Sequence, residues 1–340
     1  MHNKIIILGI ETSCDETSVA VLIDGEMKSN IVSSQEIHSL YGGVVPELAS
    51  RAHQKHILPI VDKALADANI SKNDLTAIAV AVGPGLMGSL LVGVNFAKSL
   101  AYALNIPFIS VNHMEAHIYS NFIDEPKPNF PFINLTVSGG HTQLVLLKDD
   151  FEYILLGNTI DDAAGEAFDK VAKILGLSYP GGPLIDKCAK EGDANKYKFP
   201  SPMINTDDFN FSFSGIKTSV LYFLRDENIS VPIDENTLKN ICASFQQSVI
   251  KVLIAKTIKA ALKYNVKDIA VSGGVSANSK LRNDFNVECK SLGLNLFIPK
   301  LAYCTDNGAM IAEVGYRKYL KNKFSDLFVT ANPNLEIARK

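Results

Sequence analysis

Apolar residues arrive along this chain in short unbroken runs: KIIILGI from Lys4, SVAVLID from Ser18, AIAVAVG from Ala77, FINLTVS from Phe132, TQLVLLK from Thr142 and DIAVSGG from Asp268. Runs of this length, rich in β-branched residues and closed by Gly, Asp or Ser, predict buried strands. Two stretches, SLLVGVNFAKSLAYAL (89–104) and LKNICASFQQSVIKVLIAKTIKAALKYN (238–265), space their apolar residues on a helical period instead. Strands alternating with helices predict an α/β protein.

A chain of 340 residues with 47% hydrophobic composition is too large for one ordinary core, so two lobes are expected. Prolines 126, 128 and 131 in DEPKPNFPF mark the crossing between them. The reading is an N-terminal lobe of residues 1–129, completed by a C-terminal helix at about 305–340, and a C-terminal lobe of residues 130–304. Residues 179–215 are irregular. The halves echo each other: ILGIETSCDETSVAVL is matched by INLTVSGGHTQLVLL, and Val-Ser-Gly-Gly stands at 137–140 and again at 271–274. Duplication of one β-rich unit is the economical explanation.

Charge narrows the partners. With 33 basic and 36 acidic residues the formal charge is −3, so no global positive field draws in nucleic acid, and an RNA partner must use a local patch or another subunit. Five scattered cysteines without a CxxC pair fit reduced thiols and a cytoplasmic setting. The first apolar run meets Glu11 and Asp15 and lacks a signal peptide's basic region. No apolar run reaches the roughly 20 residues that span a bilayer, so no membrane partner is expected.

Several motifs carry candidate chemistry. In VNHMEAH, His113 and His117 stand one helical turn apart and share a face, the spacing of a helical metal site or of two separately satisfied histidines. A zincin needs H-E-x-x-H, but Met114 follows His113. Glu115, about 200° around the helix from His113, faces away from the pair, which disfavours peptide hydrolysis. Asp306 in CTDNGAMIA is a candidate third ligand, yet Thr305 or Asp306 would also make a good helix N-cap, and physics alone prefers the cap. Two histidines and a carboxylate would suit Fe(II) or Zn(II).

The turns GGH (139–141), PGGP (180–183) and GGVSAN (273–278) let backbone amides approach an anion and could together cradle a nucleotide. GPGLMG (83–88) matches G-x-G-x-x-G, but no acidic residue follows between Asp74 and Glu115, so a close helix–strand contact is the better reading. FNFSFSG (209–215) reads as a half-buried strand or a base-stacking surface. Arg51, His53, Lys55 and His56 read as a solvated helical face that could also meet RNA phosphates.

Taken in order, LGIETSCDETSVAV, VNHMEAH, TVSGGHTQLV, DDAAGEAFDKVAKILGLSYPGGP, FSFSGIKT, SGGVSAN and CTDNGAMIA resemble one family, the tRNA threonylcarbamoyladenosine biosynthesis transferases, long mislabelled O-sialoglycoprotein endopeptidases. The resemblance implies the actin, sugar-kinase and heat-shock-ATPase (ASKHA) fold, two duplicated α/β lobes around a central nucleotide cleft. It implies transfer of threonylcarbamoyl from threonylcarbamoyl-AMP to the exocyclic amine of the adenosine 3′ of the anticodon, in tRNAs reading codons that begin with A.

By the same resemblance the metal ligands are His113, His117 and Asp306, and one divalent ion per subunit is expected, iron(II) first and zinc second. Substrate binding falls on Thr136, Val137, Ser138, Gly139, Gly140, Asp169, Gly182, Asp186 and Asn278, and ATP or ADP could occupy the cleft. Apart from the resemblance, Glu11 in the acidic turn ETSCDET is the candidate for proton handling or water positioning. Archaeal and eukaryotic relatives carry a tyrosine ligand where this chain has Thr136, which points to the bacterial-type branch. The implied partners are tRNA, a paralogous non-catalytic subunit and a small ATPase of the pathway. Two rival readings are a metalloprotease and a non-catalytic actin-like nucleotide switch.

Overall fold

The computed structural model of the chain describes residues 4–337; residues 1–3 and 338–340, inside the lobes expected above, lie outside the described residues. The first elements are β1 (Ile6–Glu11), β2 (Thr17–Ile23), β3 (Glu26–Ser33), α1 (Pro46–Asp67), β4 (Ala77–Gly83), α2 (Met87–Leu104), β5 (Phe108–Asn112) and α3 (His113–Tyr119). There follow β6 (Phe132–Val137), β7 (Thr142–Asp149), β8 (Glu152–Asn158), α4 (Ala164–Ile174), α5 (Gly181–Ala189), α6 (Ser214–Asp226) and α7 (Glu235–Lys263). Last come β9 (Asp268–Ser272), α8 (Ser279–Ser291), β10 (Asn295–Phe297) and α9 (Gly308–Leu320). The expected C-terminal helix is therefore shorter than 305–340.

The chain forms two compact units: one of the described residues up to Lys127 and from Pro299 onward, the other of Pro128–Ile298. Each holds one five-stranded sheet, ordered β3-β2-β1-β4-β5 in the first and β10-β9-β6-β7-β8 in the second. Counted within its own unit, the second sheet has the order of the first. Pairing agrees: β1–β2 and β6–β7 are antiparallel, whereas β1–β4 and β6–β9 are parallel. The duplication read from the sequence is thus present in topology. The two Val-Ser-Gly-Gly segments are not equivalent, because the first ends β6 and the second ends β9. By strand order, the counterpart of the turn after β9 is GPGLMG, after β4.

Strands β1, β4 and β6 are buried along their whole length, as central strands covered on both faces must be. In the first unit α9 lies against β1 at backbone distance. A Cβ on Gly9 would stand 2.4 Å from the Ala312 nitrogen, so only glycine admits this approach. The Gly308 amide donates to Ser18 Oγ at 2.7 Å, tying the head of α9 to β2 across 290 positions of sequence.

In the second unit α7 runs 29 residues through the core, with Phe245 edge-on to Phe168 at 5.1 Å. The FNFSFSG segment corrects its expectation: Phe209, Phe211 and Phe213 are buried, and the segment forms a bridge to Thr159 rather than a strand. Its serines turn outward, Ser212 and Ser214 donating to Asp161 at 2.6 and 2.7 Å. No stacking surface is left. The helical face of Arg51, Lys55 and His56 is also revised, since His53 is fully buried.

Among the described residues two helices, α2 and α7, are long and apolar enough to cross a membrane by length and composition alone, a test that the core helices of a folded domain also pass. Most of α7 is buried inside its unit. A third of α2 is buried, and it exposes Met87, Leu91 and Tyr102.

Candidate functional site

Helix α3 is seven residues long and begins directly after β5, capped by Asn112, whose side chain accepts from the amides of Met114 and Glu115. His113 and His117 point to one side, their rings 4.6 Å apart and nearly perpendicular. Asp306 meets them: its Oδ1 lies 3.1 Å from His117 Nε2 and 3.5 Å from His113 Nε2. Asp306 does not cap α9. Asn307 does, accepting from the Met310 amide at 3.0 Å, so the expectation that Thr305 or Asp306 serves as the cap is overturned.

Three features of these residues bear on whether they fit a metal ion. Donor atoms held by bonds of about 2.1 Å in a tetrahedron or octahedron stand roughly 3.0–3.4 Å apart, close to the separations of the two Nε2 atoms from Asp306 Oδ1. Neither ring nitrogen of His117, 1% exposed, makes a hydrogen bond among the described residues, so a buried imidazole has its coordination capacity open. Behind His113, Nδ1 lies 3.0 Å from Glu11 Oε2 and 3.1 Å from Ser13 Oγ, the arrangement that fixes a tautomer and turns Nε2 toward a metal. The residues fit.

Electrostatics agree. Burial alone would lower the His113 pKa, but Asp306 and Glu11 outweigh it and push it up to about 9. The carboxyl of Glu16, nearby in the same turn, is pushed up to about 9 by burial first and then by Asp306 and Asp15. Such a crowd of carboxylates favours a bound cation.

The acidic turn carrying Glu11 is seated by its neighbours. Thr12 Oγ1 donates to Ser89 O, and the Leu86 amide donates to Ser13 O at 2.7 Å. A Cβ on Gly85 would stand 2.4 Å from Ser13 O and one on Gly93 2.3 Å from Thr12 Oγ1. GPGLMG therefore supports this turn. His53 bonds Thr17 Oγ1 at 2.8 Å and Cys14 O at 2.9 Å, and burial lowers its pKa. Glu11 is fully buried, accepting from the Ser13 amide, so it stands behind His113 as an orienting carboxylate.

In the second unit the three glycine turns gather at one end of the sheet. A Cβ on Gly165, in the first turn of α4, would lie 2.5 Å from Ser138 O, and one on Gly273 would lie 2.4 Å from Val137 O. A Cβ on Gly181 would lie 2.3 Å from Ala172 Cβ and 3.0 Å from Asp169 Cα, so this turn also packs closely on α4. At Gly139 and Gly140 a Cβ would meet open space, which leaves these exposed positions accessible to an anion.

The remaining predicted residues are engaged. Asp169 Oδ1 accepts from the amides of Gly181 and Gly182 at 2.8 and 3.3 Å; burial raises its carboxyl pKa despite these bonds. Both oxygens of Asp186 bond Ser279. Asn278 caps α8 and donates to Gln246 at 2.7 Å. Thr136 and Val137 are buried, Thr136 Oγ1 accepting from Asn134 at 2.8 Å, and Ser138 Oγ accepts from the His141 amide. Sequence reasoning missed Ser13 and Asn307. Ser13 stands two positions after Glu11 and Asn307 directly after Asp306, and a polar residue three before Met310 was the available signal for the cap.

The profile of the tRNA N6-adenosine threonylcarbamoyltransferase family matches residues 26–313. Curated relatives with that name include one from Christiangramia forsetii, 56% identical over 96% of this chain and 97% of its own. Another, from Cytophaga hutchinsonii, is 52% identical over 98% and 97%. Among solved structures, full-length HypF in a phosphate- and nucleotide-bound form superposes with TM-score 0.63 at 12% identity, over 94% of this chain and 47% of HypF. An activator of 2-hydroxyisocaproyl-CoA dehydratase from Clostridium difficile, with bound ADPNP, gives 0.52 at 13% identity over 95% and 99%. These two share the two-unit α/β fold. On the profile and the identities, the chain belongs to the bacterial-type branch of the tRNA N6-adenosine threonylcarbamoyltransferase family.

Proposed function

We propose that the chain transfers a threonylcarbamoyl group from threonylcarbamoyl-AMP to the exocyclic amine of the adenosine 3′ of the anticodon, in tRNAs reading codons that begin with A. The observation that carries this reading, beyond family membership, is the meeting of His113, His117 and Asp306. These three residues would hold one divalent ion, iron(II) or zinc. Such an ion supplies Lewis-acid polarisation of an acyl or phosphoryl oxygen.

The rest of the chemistry falls to the chain itself. An aromatic exocyclic amine is a poor nucleophile, so positioning has to supply much of the rate. The turn of Gly139 and Gly140 would receive the phosphate of the adenylate on backbone amides, and Gly182, whose amide Asp169 holds, would border the same adenylate. Asp169 and Asp186 would accept from ribose hydroxyls, and Asn278 would border the adenine. Glu11 would hold His113 in one tautomer and stand as the reserve acceptor of a proton. The acceptor base lies in a loop, so splaying it out requires no duplex melting.

With a formal charge of −3, tRNA binding would draw on partners, a paralogous non-catalytic subunit and a small ATPase, in the cytosol. The exposed apolar face of α2 is a surface that a subunit could cover. The test is mass spectrometry of tRNA nucleosides after depletion of the protein. The modified adenosine should disappear and return with the intact chain but not with His117→Ala. Undiminished modification after depletion would overturn the assignment.

A further inference from the structure

Helix α3 has two turns, too few to hold its own orientation, so something outside it must set where the imidazoles point. All seven of its residues are buried, including Glu115 on the face opposite His113 and His117. That carboxylate reaches α9: Glu115 Oε2 lies 2.8 Å from Lys318 Nζ. The same ammonium donates to Ser110 O, in the strand that leads into α3, at 3.1 Å. One position earlier, the Arg317 guanidinium stacks 4.2 Å over Phe122 and 5.2 Å over Tyr119, with Nε held by Glu313 at 2.7 Å. α9 is a firm base for this grip, because Gly9 and Gly308 bring it against the sheet at backbone range and Gly315 leaves room for the side chains of Ala79 and Ile7.

We propose that Glu115, Lys318 and Arg317 are positioning residues that fix the roll of α3 on α9 and thereby aim both Nε2 atoms at Asp306. The inference rests on the metal reading for its purpose, though not for its geometry. α9 then serves the site at both ends: its head presents Asp306 and its tail grips the back of α3. The glutamate that looks out of place for a protease base in H-M-E-A-H has a use. It turns the helix instead of the substrate.

Removing one partner of a buried ion pair strands the other charge and endangers folding, so the test uses paired changes. Glu115→Gln with Lys318→Met removes both charges; Glu115→Lys with Lys318→Glu restores attraction in reverse. The unmodified chain and both variants are titrated with Co2+, following its visible absorption, and the metal-free proteins are examined by hydrogen exchange over α3. The neutral pair should bind Co2+ about tenfold or more weakly, the range expected for groups that orient ligands, while unfolding cooperatively. Its α3 amides should exchange at least about tenfold faster, and the swapped pair should recover most of both losses. Affinity and α3 exchange unchanged in the neutral pair would overturn the proposal. Should the unmodified chain bind no Co2+, the metal reading fails, and exchange rates alone decide whether the grip exists.

Discussion

Asp306 Oδ1 stands 3.1 Å from His117 Nε2 because the residue after the aspartate, Asn307, takes the capping duty that would otherwise occupy it. Asn307 also donates to Thr305 O at 2.7 Å, bracing the turn on both sides of Asp306. Replacing Asn307 by Ala should cost about 1 kcal/mol through the lost cap and weaken divalent-ion binding as well. Urea unfolding and a Co2+ titration read the two effects separately.

Removal of an ion held by His113, His117 and Asp306, as proposed, should be visible as lost stability. A ligand at a hundredfold excess over its Kd stabilises the folded chain by about 2.7 kcal/mol, so chelation should lower the Tm of a metal-loaded sample reversibly. His117→Ala should abolish this difference together with metal content. Calorimetry with and without chelator checks it, and a chelator-sensitive Tm in His117→Ala would place the ion elsewhere.

Asp169 belongs to the second unit and holds the first amides of α5. Asp169→Ala should weaken AMP binding severalfold and reduce stability by about 1 kcal/mol, through the bonds to those amides. Metal content should stay at the level of the unmodified chain. Equilibrium dialysis with AMP and elemental analysis on the same preparation give both answers.

The pH dependence of folding offers a further check at Asp161. Burial opposes ionisation there, but the hydroxyls of Ser212 and Ser214 and the amides of Phe213 and Ser214 outweigh it, holding the carboxyl below its ordinary range. A group whose folded pKa is depressed stabilises fully above its unfolded value of about 3.9, and the benefit is lost as pH falls through the lower folded value. The stability gap between the unmodified chain and Asp161→Asn should therefore be constant from pH 7 to about 5 and shrink below about pH 4. Urea midpoints across that range measure it.

The buried strands were legible because apolar runs on both-face-covered strands leave no other reading: β1, β2, β4, β6, β7 and β9 fall where the runs stood. β3 was missed because its sequence, EMKSNIVS, is that of a half-exposed edge, and β10 because three residues carry no period. The histidine pair was visible as spacing alone. Asp306 was ambiguous, since a TDN triplet offers three caps and the chain uses the last. His53 looked solvated among its charged neighbours because its partners, Thr17 and Cys14 O, lie more than thirty residues away. Phe209 and Phe213 misled for a similar reason. Alternation with serine imitates a strand, whereas Asp161 is what draws the serines outward.

The bond from Gly308 to Ser18 dictates the order in which a ribosome can finish this molecule. Residues 128–298 are contiguous and can condense as they emerge, but β1 and β2 must wait for α9, with their apolar flank bare throughout synthesis of everything between. A nascent chain halted before Asp306 would hold both imidazoles without the carboxylate that meets their Nε2 atoms. Assembly of the His113, His117 and Asp306 cluster is thus a late event of translation, which leaves the early half open to aggregation in the meantime.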